Sequence, residues 1–545
     1  GEEYFSLDGA QIETSKDVST GEIILMKSTG GYLLIKVVLP ENAVSIPSIK
    51  SSDGGWEASL DGIKFKEAIM ERWIGEFGFP LVTVPYSSTG DGIYVADLEL
   101  YGYVTVRTNK KPRIFLAESL DELHYKRLQI NAAPVEMQKI PNGSWRMAHS
   151  AFFRYFHIES LNEFSITCEA KMRPLAYRGA FHADEELNRI WMVAAYTLRL
   201  CMRDVIASGD AGSHIPPMGT LAMATIGNAH VFAEPEPARD TLRLAEQYGI
   251  GQTSIENKLW YIICHDFYQL YFSDREFLIE SRENIRGIFD DIVRTAESNG
   301  GFLVGICSAD NFDEGISTAL QMIFIMALNS AERIADRLED VAWSTLCHNI
   351  SENLKNLLVE TAFNDDEGLF FSRPNEPDSG FSRAPNFLSI VSAFAEEDLC
   401  RHMTKILSED RMPQTTSPFM AFFEIMALYM GGRTDTALSE IRRLWGGMLR
   451  TGGTTFFELF NPDAAEKENY ALGAKPFGNS LCHAASCGPL ALLPLIICGL
   501  NPIADGWDDI IHDDESPVND ASLTVPTPKS NIIFNIKNSW IIREK

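Results

Sequence analysis

The residues of this chain that could do chemistry are carboxylates set in loops between apolar helical stretches. Glu458 closes the run Gly452-Gly453-Thr454-Thr455-Phe456-Phe457-Glu458, whose threonines and phenylalanines would place it at the edge of an aromatic-walled pocket. Asp210 lies in the loop Ser208 to Thr220, Glu256 just ahead of a helical stretch, and Asp313 and Glu314 in the loop 309–315. An ionised carboxylate can take a proton from water, and one whose pKa is raised by burial can deliver one. Each also has a plainer reading. Glu458 would then be an exposed loop acid, Asp210 a turn residue, and Asp313 and Glu314 acids favoured by a helix dipole.

Other chemistries find no support. No His-Glu-x-x-His, phosphate-binding loop or nucleophile elbow occurs, and Gly249-x-Gly251 lacks the rest of a dinucleotide fingerprint. Cys482, His483 and Cys487 fall within six positions, but no second ligand cluster accompanies them. No metal and no cofactor is therefore expected. The nine cysteines are scattered and odd in number, which suits core thiols better than a disulfide framework.

At 545 residues the chain exceeds one ordinary core, so two or three domains are expected. A formal charge of -28 disfavours nucleic acid and anionic membrane surfaces, and is compatible with a neutral ligand such as a sugar. The longest apolar stretch, Pro489 to Leu500, is too short to span a bilayer and reads as a buried helix. No signal peptide is recognisable. The chain opens on Gly1 rather than Met, so a targeting segment is expected to have been removed and the protein to act outside the cytoplasm, secreted, periplasmic or on the cell surface.

The elements that must position the carboxylates fall into two regimes. Residues 23–39, 93–107, 151–157 and 164–172 read as strands, Tyr101, Tyr103, Thr105 and Arg107 alternating with Gly102, Val104 and Val106. Near residue 182 the period changes. Leu187, Trp191, Ala194, Leu198, Cys201 and Val205 form one helical face, with Asp184, Glu185 and Glu186 at its positive end. Helical patterning then recurs near 219–233, 238–248, 258–273, 275–298, 314–336, 338–362, 386–396, 398–408, 418–431, 434–449 and 484–499. Asn299-Gly300-Gly301 and Gly431-Gly432 mark stops, and the long interruptions 364–385 and 450–480 are where a site would sit. After Gly506 an acidic stretch reads as a solvated linker, followed by closing strands at 524–526 and 532–536.

Several stretches resemble family 78 of the glycoside hydrolases, the α-L-rhamnosidases. The helix Asp184 to Cys201 is similar to that family's first barrel helix. Thr416-Ser417-Pro418-Phe419, the run Arg442 to Leu449, Gly452 to Glu458, Ser480-Leu481-Cys482-His483 with Gly488-Pro489, Gly499-Leu500-Asn501-Pro502, and Thr524 to Pro528 follow in the family's order. The resemblance implies a β-sandwich over 1–178, an (α/α)6 barrel over 179–505 and a short β-rich segment over 506–545. It also implies hydrolysis of a terminal glycosidic bond with inversion, which takes two carboxyl groups about 6.5–9.5 Å apart, an acid for the leaving oxygen and a base for water.

By this resemblance Glu458 stands at the family's general base and Phe457 beside it. His483 matches a histidine facing the sugar, with a hydrogen-bonded core histidine as the other reading. The acid departs from the pattern. Aligned on Gly219, Ser213 replaces the general acid, Pro217 a tryptophan and Thr220 an aspartate. A serine hydroxyl cannot donate that proton near neutral pH. Asp210, Glu256, Asp313 and Glu314 are the carboxylates left to substitute as acid or to hold substrate. The alternative is a relative that binds glycan without cleaving it. Carbohydrate is the expected partner in either case.

Overall fold

The structure, a computed structural model, describes residues 79–129, 132–159, 163–209, 215–309, 314–409, 411–513, 516–518, 520–535 and, as backbone, 540–544, together with the backbone of short strands before residue 68. It divides into two units, Gly1–Phe77 and Gly78–Lys545. In the first, Phe5–Leu7 pairs with Ala10–Ile12, Ile24–Met26 with Leu34–Lys36, and Ser48–Ser52 with Gly55–Ser59.

The second unit opens with an antiparallel sheet. Its strands are β1 (Leu81–Thr83), β2 (Tyr86–Gly90), β3 (Ile93–Arg107), β4 (Ile114–Ala117), β5 (Met137–Lys139), β6 (Trp145–Met147), β7 (Ala151–Ile158) and β8 (Ser165–Lys171), with helix α1 (Leu120–Leu128) after β4. The long β3 pairs with β2, β6, β7 and β8. Its alternation is the one read from sequence: Val104 and Val106 are fully buried with Phe153, Phe156 and Cys168. At Gly102 a Cβ would stand 1.9 Å from the Glu169 carbonyl, so only glycine lets β8 approach there.

Strand β9 (Ala180–His182) leads into the helical part of the chain by way of α2 (Glu185–Cys201), capped by Asp184, whose Oδ1 accepts from the Leu187 amide at 3.1 Å. There follow α3 (Met218–Val231), α4 (Pro235–Gln247), α5 (Ile255–Phe272), α6 (Arg275–Ser298), α7 (Thr318–Arg337), α8 (Val341–Ala362), α9 (Arg383–Val391), α10 (Glu397–Leu407), α11 (Pro418–Met430), α12 (Thr434–Ile441), α13 (Gly447–Arg450) and α14 (Pro489–Cys498). The turn Arg442–Gly446 between α12 and α13 is π-helical.

Two kinds of helix alternate. Every residue of α3 is buried, and α5, α7 and α14 are buried over most of their length. By contrast α4, α6 and α10 bury one stripe, as amphipathic outer helices do. The buried helices pack in succession, α3 on α5, α5 on α7, α7 on α9, α9 on α11 and α11 on α14, and α14 returns to α3. A polar strap closes the seam beside α2. Glu186 meets Arg442 at 2.7 Å and Arg450 at 2.9 Å.

The closing strands β10 (Ser522–Pro526), β11 (Asn531–Asn535) and β12 (Trp540–Glu544) form a sheet with β9. The stretch after Gly506 differs from the solvated linker expected. Trp507 is buried against His230 and Tyr271, and Ile510–Ile511 pairs with Asn501–Pro502. Two of its acids are engaged as well: Asp508 pairs with Lys529 at 2.6 Å, and Asp513 accepts from the Tyr429 hydroxyl at 2.8 Å. The apolar tryptophan outweighs the neighbouring charge, which can stay at the surface while the ring is buried.

Candidate active site

Glu458 ends an irregular segment that α2 and the 480–483 segment hold between them. The Phe456 amide donates to Thr197 Oγ1 of α2 at 3.0 Å. Thr197 can accept because its own hydroxyl proton is given to the Val193 carbonyl one turn back, at 2.7 Å. On the other side Thr455 Oγ1 donates to the Leu481 carbonyl at 2.7 Å, the Glu458 amide to the Ser480 carbonyl at 2.9 Å, and the His483 amide to the Phe456 carbonyl at 2.9 Å. Below them Ser486 Oγ donates to the Phe457 carbonyl at 2.5 Å. Backbone groups are thus satisfied by side chains and by each other, which lets an irregular segment lie in the interior.

Glu458 and His483 line one cavity of about 470 Å³, within the range of small-molecule sites. Ser208 and the turn Ile215, Pro216, Pro217 before α3 contribute to it, as do Tyr248, Thr253 and Asn257 around the start of α5. His483 Nδ1 accepts from the Ala485 amide at 3.3 Å, so the neutral ring carries its proton on Nε2. Asn257 Oδ1 accepts from the Met218 amide at 2.7 Å, which fixes its carboxamide and leaves Nδ2 as the donor end. Close approach again demands glycine. Gly209 has φ +136°, and a Cβ there would stand 1.9 Å from the Cys482 carbonyl.

The carboxylates singled out in the sequence part company here. Among the described residues lining this cavity Glu458 is the carboxylate. Asp210 and Asp313 lie outside the described residues, though Ser208 and Ile215 on either side of the Asp210 loop both line the cavity. Glu256 is spent elsewhere: its Oε1 accepts from Ser308 Oγ at 2.5 Å and Trp260 Nε1 at 3.3 Å, and its Oε2 from the Ser308 amide at 2.9 Å. It holds the loop after Gly305 to the first turn of α5. Glu314 is exposed and precedes α7, which begins at Thr318 with Ser317 as its cap rather than at 314. The Ser317 hydroxyl competes better for the free helix amides.

The aromatic wall also differs from expectation. Phe456 is fully buried, and Phe457 lines a different cavity from the one Glu458 reaches. The segment is irregular, so the direction each of its side chains takes is set by its hydrogen bonds rather than by a strand or helix period. The prolines and Tyr248 supply the apolar surface beside Glu458 instead. Tyr248, Asn257 and Ser208 carried no sequence signal, because their convergence depends on how α2, α4 and α5 come together. Among the described residues no group of His, Cys, Asp and Glu could hold a metal ion, and no helix is long and apolar enough to cross a membrane.

By sequence, no protein-family model and no curated protein matches the chain. Solved structures do match it in three dimensions. A family 78 rhamnosidase of Bacillus sp. GL1 superposes with a TM-score of 0.67 at 18% identity, over 92% of this chain and 53% of that one. A rhamnosidase from Klebsiella oxytoca with rhamnose bound gives 0.63 at 17% identity, over 83% of this chain and 94% of that one. An α-L-rhamnosidase from Aspergillus terreus gives 0.66 at 14% identity, over 94% and 68%. The chain spans about half the length of the Bacillus enzyme and most of the Klebsiella one. Its fold is that of the family 78 glycoside hydrolases, the α-L-rhamnosidases.

Proposed function

We propose that the protein is a glycoside hydrolase that removes a terminal sugar from an oligosaccharide or polysaccharide with inversion, Glu458 activating the attacking water. The observation that carries this is the seat of Glu458 beside His483 in a cavity of about 470 Å³, large enough for a pyranose ring. The architecture proposed behind it is an (α/α)6 barrel over 179–505 and a β-rich tail over 506–545. The ring of buried helices α3, α5, α7, α9, α11 and α14 supports the barrel.

Inversion needs a second carboxyl group as acid. We assign it to Asp210, whose loop begins and ends at residues of the cavity lining. His483, with Nε2–H as donor, would hold a sugar hydroxyl, and Glu256 would act only by fixing the 308 loop. The sugar is left open, since Pro217 and Thr220 stand where the rhamnosidases carry an aromatic ring and an acid.

Proton NMR of a cleaved glycoside tests the stereochemistry, with the product first appearing in the anomeric form opposite to the substrate. Asp210→Asn should lose activity on alkyl glycosides, whose leaving oxygen needs a proton, yet keep activity on dinitrophenyl glycosides, which do not. Retained configuration, or equal loss on both substrates, rejects the assignment.

A second reading has its own observation. Apart from His483, the described lining beside Glu458 is hydroxyl, amide and apolar, which suits a glycan-binding protein that has lost cleavage. Sugar binding without turnover of any glycoside decides for it.

A further inference from the structure

A second cavity, of about 390 Å³, lies between the β3–α1 region and the segment leading to Glu458. Glu99 of β3 is 2% exposed and lines it. Its backbone is fully used: the amide donates to Thr454 Oγ1 at 2.9 Å, and the carbonyl accepts from the Tyr196 hydroxyl at 2.6 Å. Its side-chain Oε1 is buried with no partner. Arg154 lines the same cavity. Its Nη1 donates to the Gly452 carbonyl at 2.9 Å, while its buried Nε has no partner. A buried acceptor and a buried donor both unmet in one cavity are costly, at about 1–3 kcal/mol each, unless something fills it.

The remaining lining says what. Glu118, Asp121 and Glu466 join Glu99 against the single Arg154, so an anion would be repelled. Among the described residues no acidic group is gathered tightly enough for a metal ion. Tyr155, Phe457 and Tyr470 offer ring faces, and Ser119, Thr451 and Thr454 hydroxyls. Carboxyl and guanidinium groups that pair with hydroxyls, beside rings that pack on C–H faces, are the complement of a sugar.

We propose that this cavity is a second carbohydrate-binding site, for a neutral sugar unit held by Glu99, Arg154 and Tyr155. Burial, together with the neighbouring acids, pushes both carboxyls up, Glu118 to about 8. A carboxyl shifted toward its protonated form can donate as well as accept, which favours a hydroxyl over a cation. The site goes beyond hydrolysis at Glu458 and does not depend on it. The Glu99–Thr454 bond nevertheless joins it to the segment that carries Glu458.

Saturation-transfer NMR and calorimetry with L-rhamnose, D-glucose and D-galactose, and with cationic D-glucosamine for comparison, test the proposal on the full chain. The expected result is binding of at least one neutral sugar that survives Glu458→Gln and weakens roughly tenfold in Glu99→Leu, the loss of one good hydrogen bond. Tyr155→Ala, which removes a part-exposed ring and buries no charge, should weaken it too, and it keeps the test open if Glu99→Leu proves unstable. The proposal is overturned if no neutral-sugar binding responds to Glu99 or Tyr155, or if only the cationic sugar binds there. Because the readout is binding in a Glu458→Gln background, failure here is separate from failure of the hydrolase reading.

Discussion

The His483 amide donates to the Phe456 carbonyl at 2.9 Å, so the residue two before Glu458 and a histidine of the same cavity are tied backbone to backbone. Glu458 owes its position to that pairing and to the Thr197 hydroxyl beneath it. Removing either support should disturb the site without touching a group in the cavity.

Thr197→Val leaves the Phe456 amide buried without an acceptor. Stability in chemical denaturation should fall by about 1–3 kcal/mol, and Thr197→Ser should recover most of it. Equal stability of the valine variant and the wild type would show that water or a shifted carbonyl serves the amide instead.

Gly209→Ala asks an L side chain to adopt φ +136° and to enter the space of the Cys482 carbonyl. A loss of about 1–3 kcal/mol follows from the backbone conformation alone. The steric conflict adds to it and moves the loop past Ser208, so sugar affinity should fall as well. Thermal unfolding and a binding titration measure the two effects.

Arg383 of α9 and Glu424 of α11 form a buried ion pair, Nε to Oε1 at 2.8 Å, which Thr415 completes on the other carboxylate oxygen. Glu424→Leu strands a buried guanidinium and should cost about 3–5 kcal/mol. The double variant Arg383→Met, Glu424→Leu should recover most of that loss, and its failure to do so would assign the pair more than charge compensation.

The Glu99–Glu118 pair makes stability depend on pH. Glu118 rises from an ordinary 4.5 to about 8, chiefly because protein surrounds it and then because Glu122 is near. The folded state therefore holds a proton that the unfolded chain releases. The stability tied to that proton is complete below pH 4.5 and is lost as pH rises through about 8. Glu118→Gln cannot lose it, so the variant should gain on the wild type in melting temperature between pH 5 and pH 8. A difference that stays flat across that range contradicts the shift.

Much of the fold was legible because helices and strands declare themselves by period. Segment 275–298 coincides with α6, and 93–107 with β3. The ends were less so, as with α7, where a cap hydroxyl rather than two acids sets the start. Within the site, Glu458 and His483 were legible through their resemblance to a family pattern, and both line the cavity. Phe457 lines the second cavity instead, because an irregular segment has no period from which the direction of a side chain can be read. Glu256 looked available because sequence does not reveal the Ser308 loop that occupies it. Glu99, Glu118 and Arg154 gave no signal at all. They come from separate parts of the β region, and only folding brings them to the segment before Glu458.

The central claim is that the Glu458 carboxylate activates water. Its most direct test is the turnover of a panel of aryl glycosides by the wild type and by Glu458→Gln, with affinity for the released sugar measured in parallel. The account predicts cleavage of at least one glycoside by the wild type, a loss of about 10²–10⁴ in kcat in the variant, and sugar binding largely unchanged. A wild type that cleaves none of them, or a variant that cleaves as fast, contradicts it.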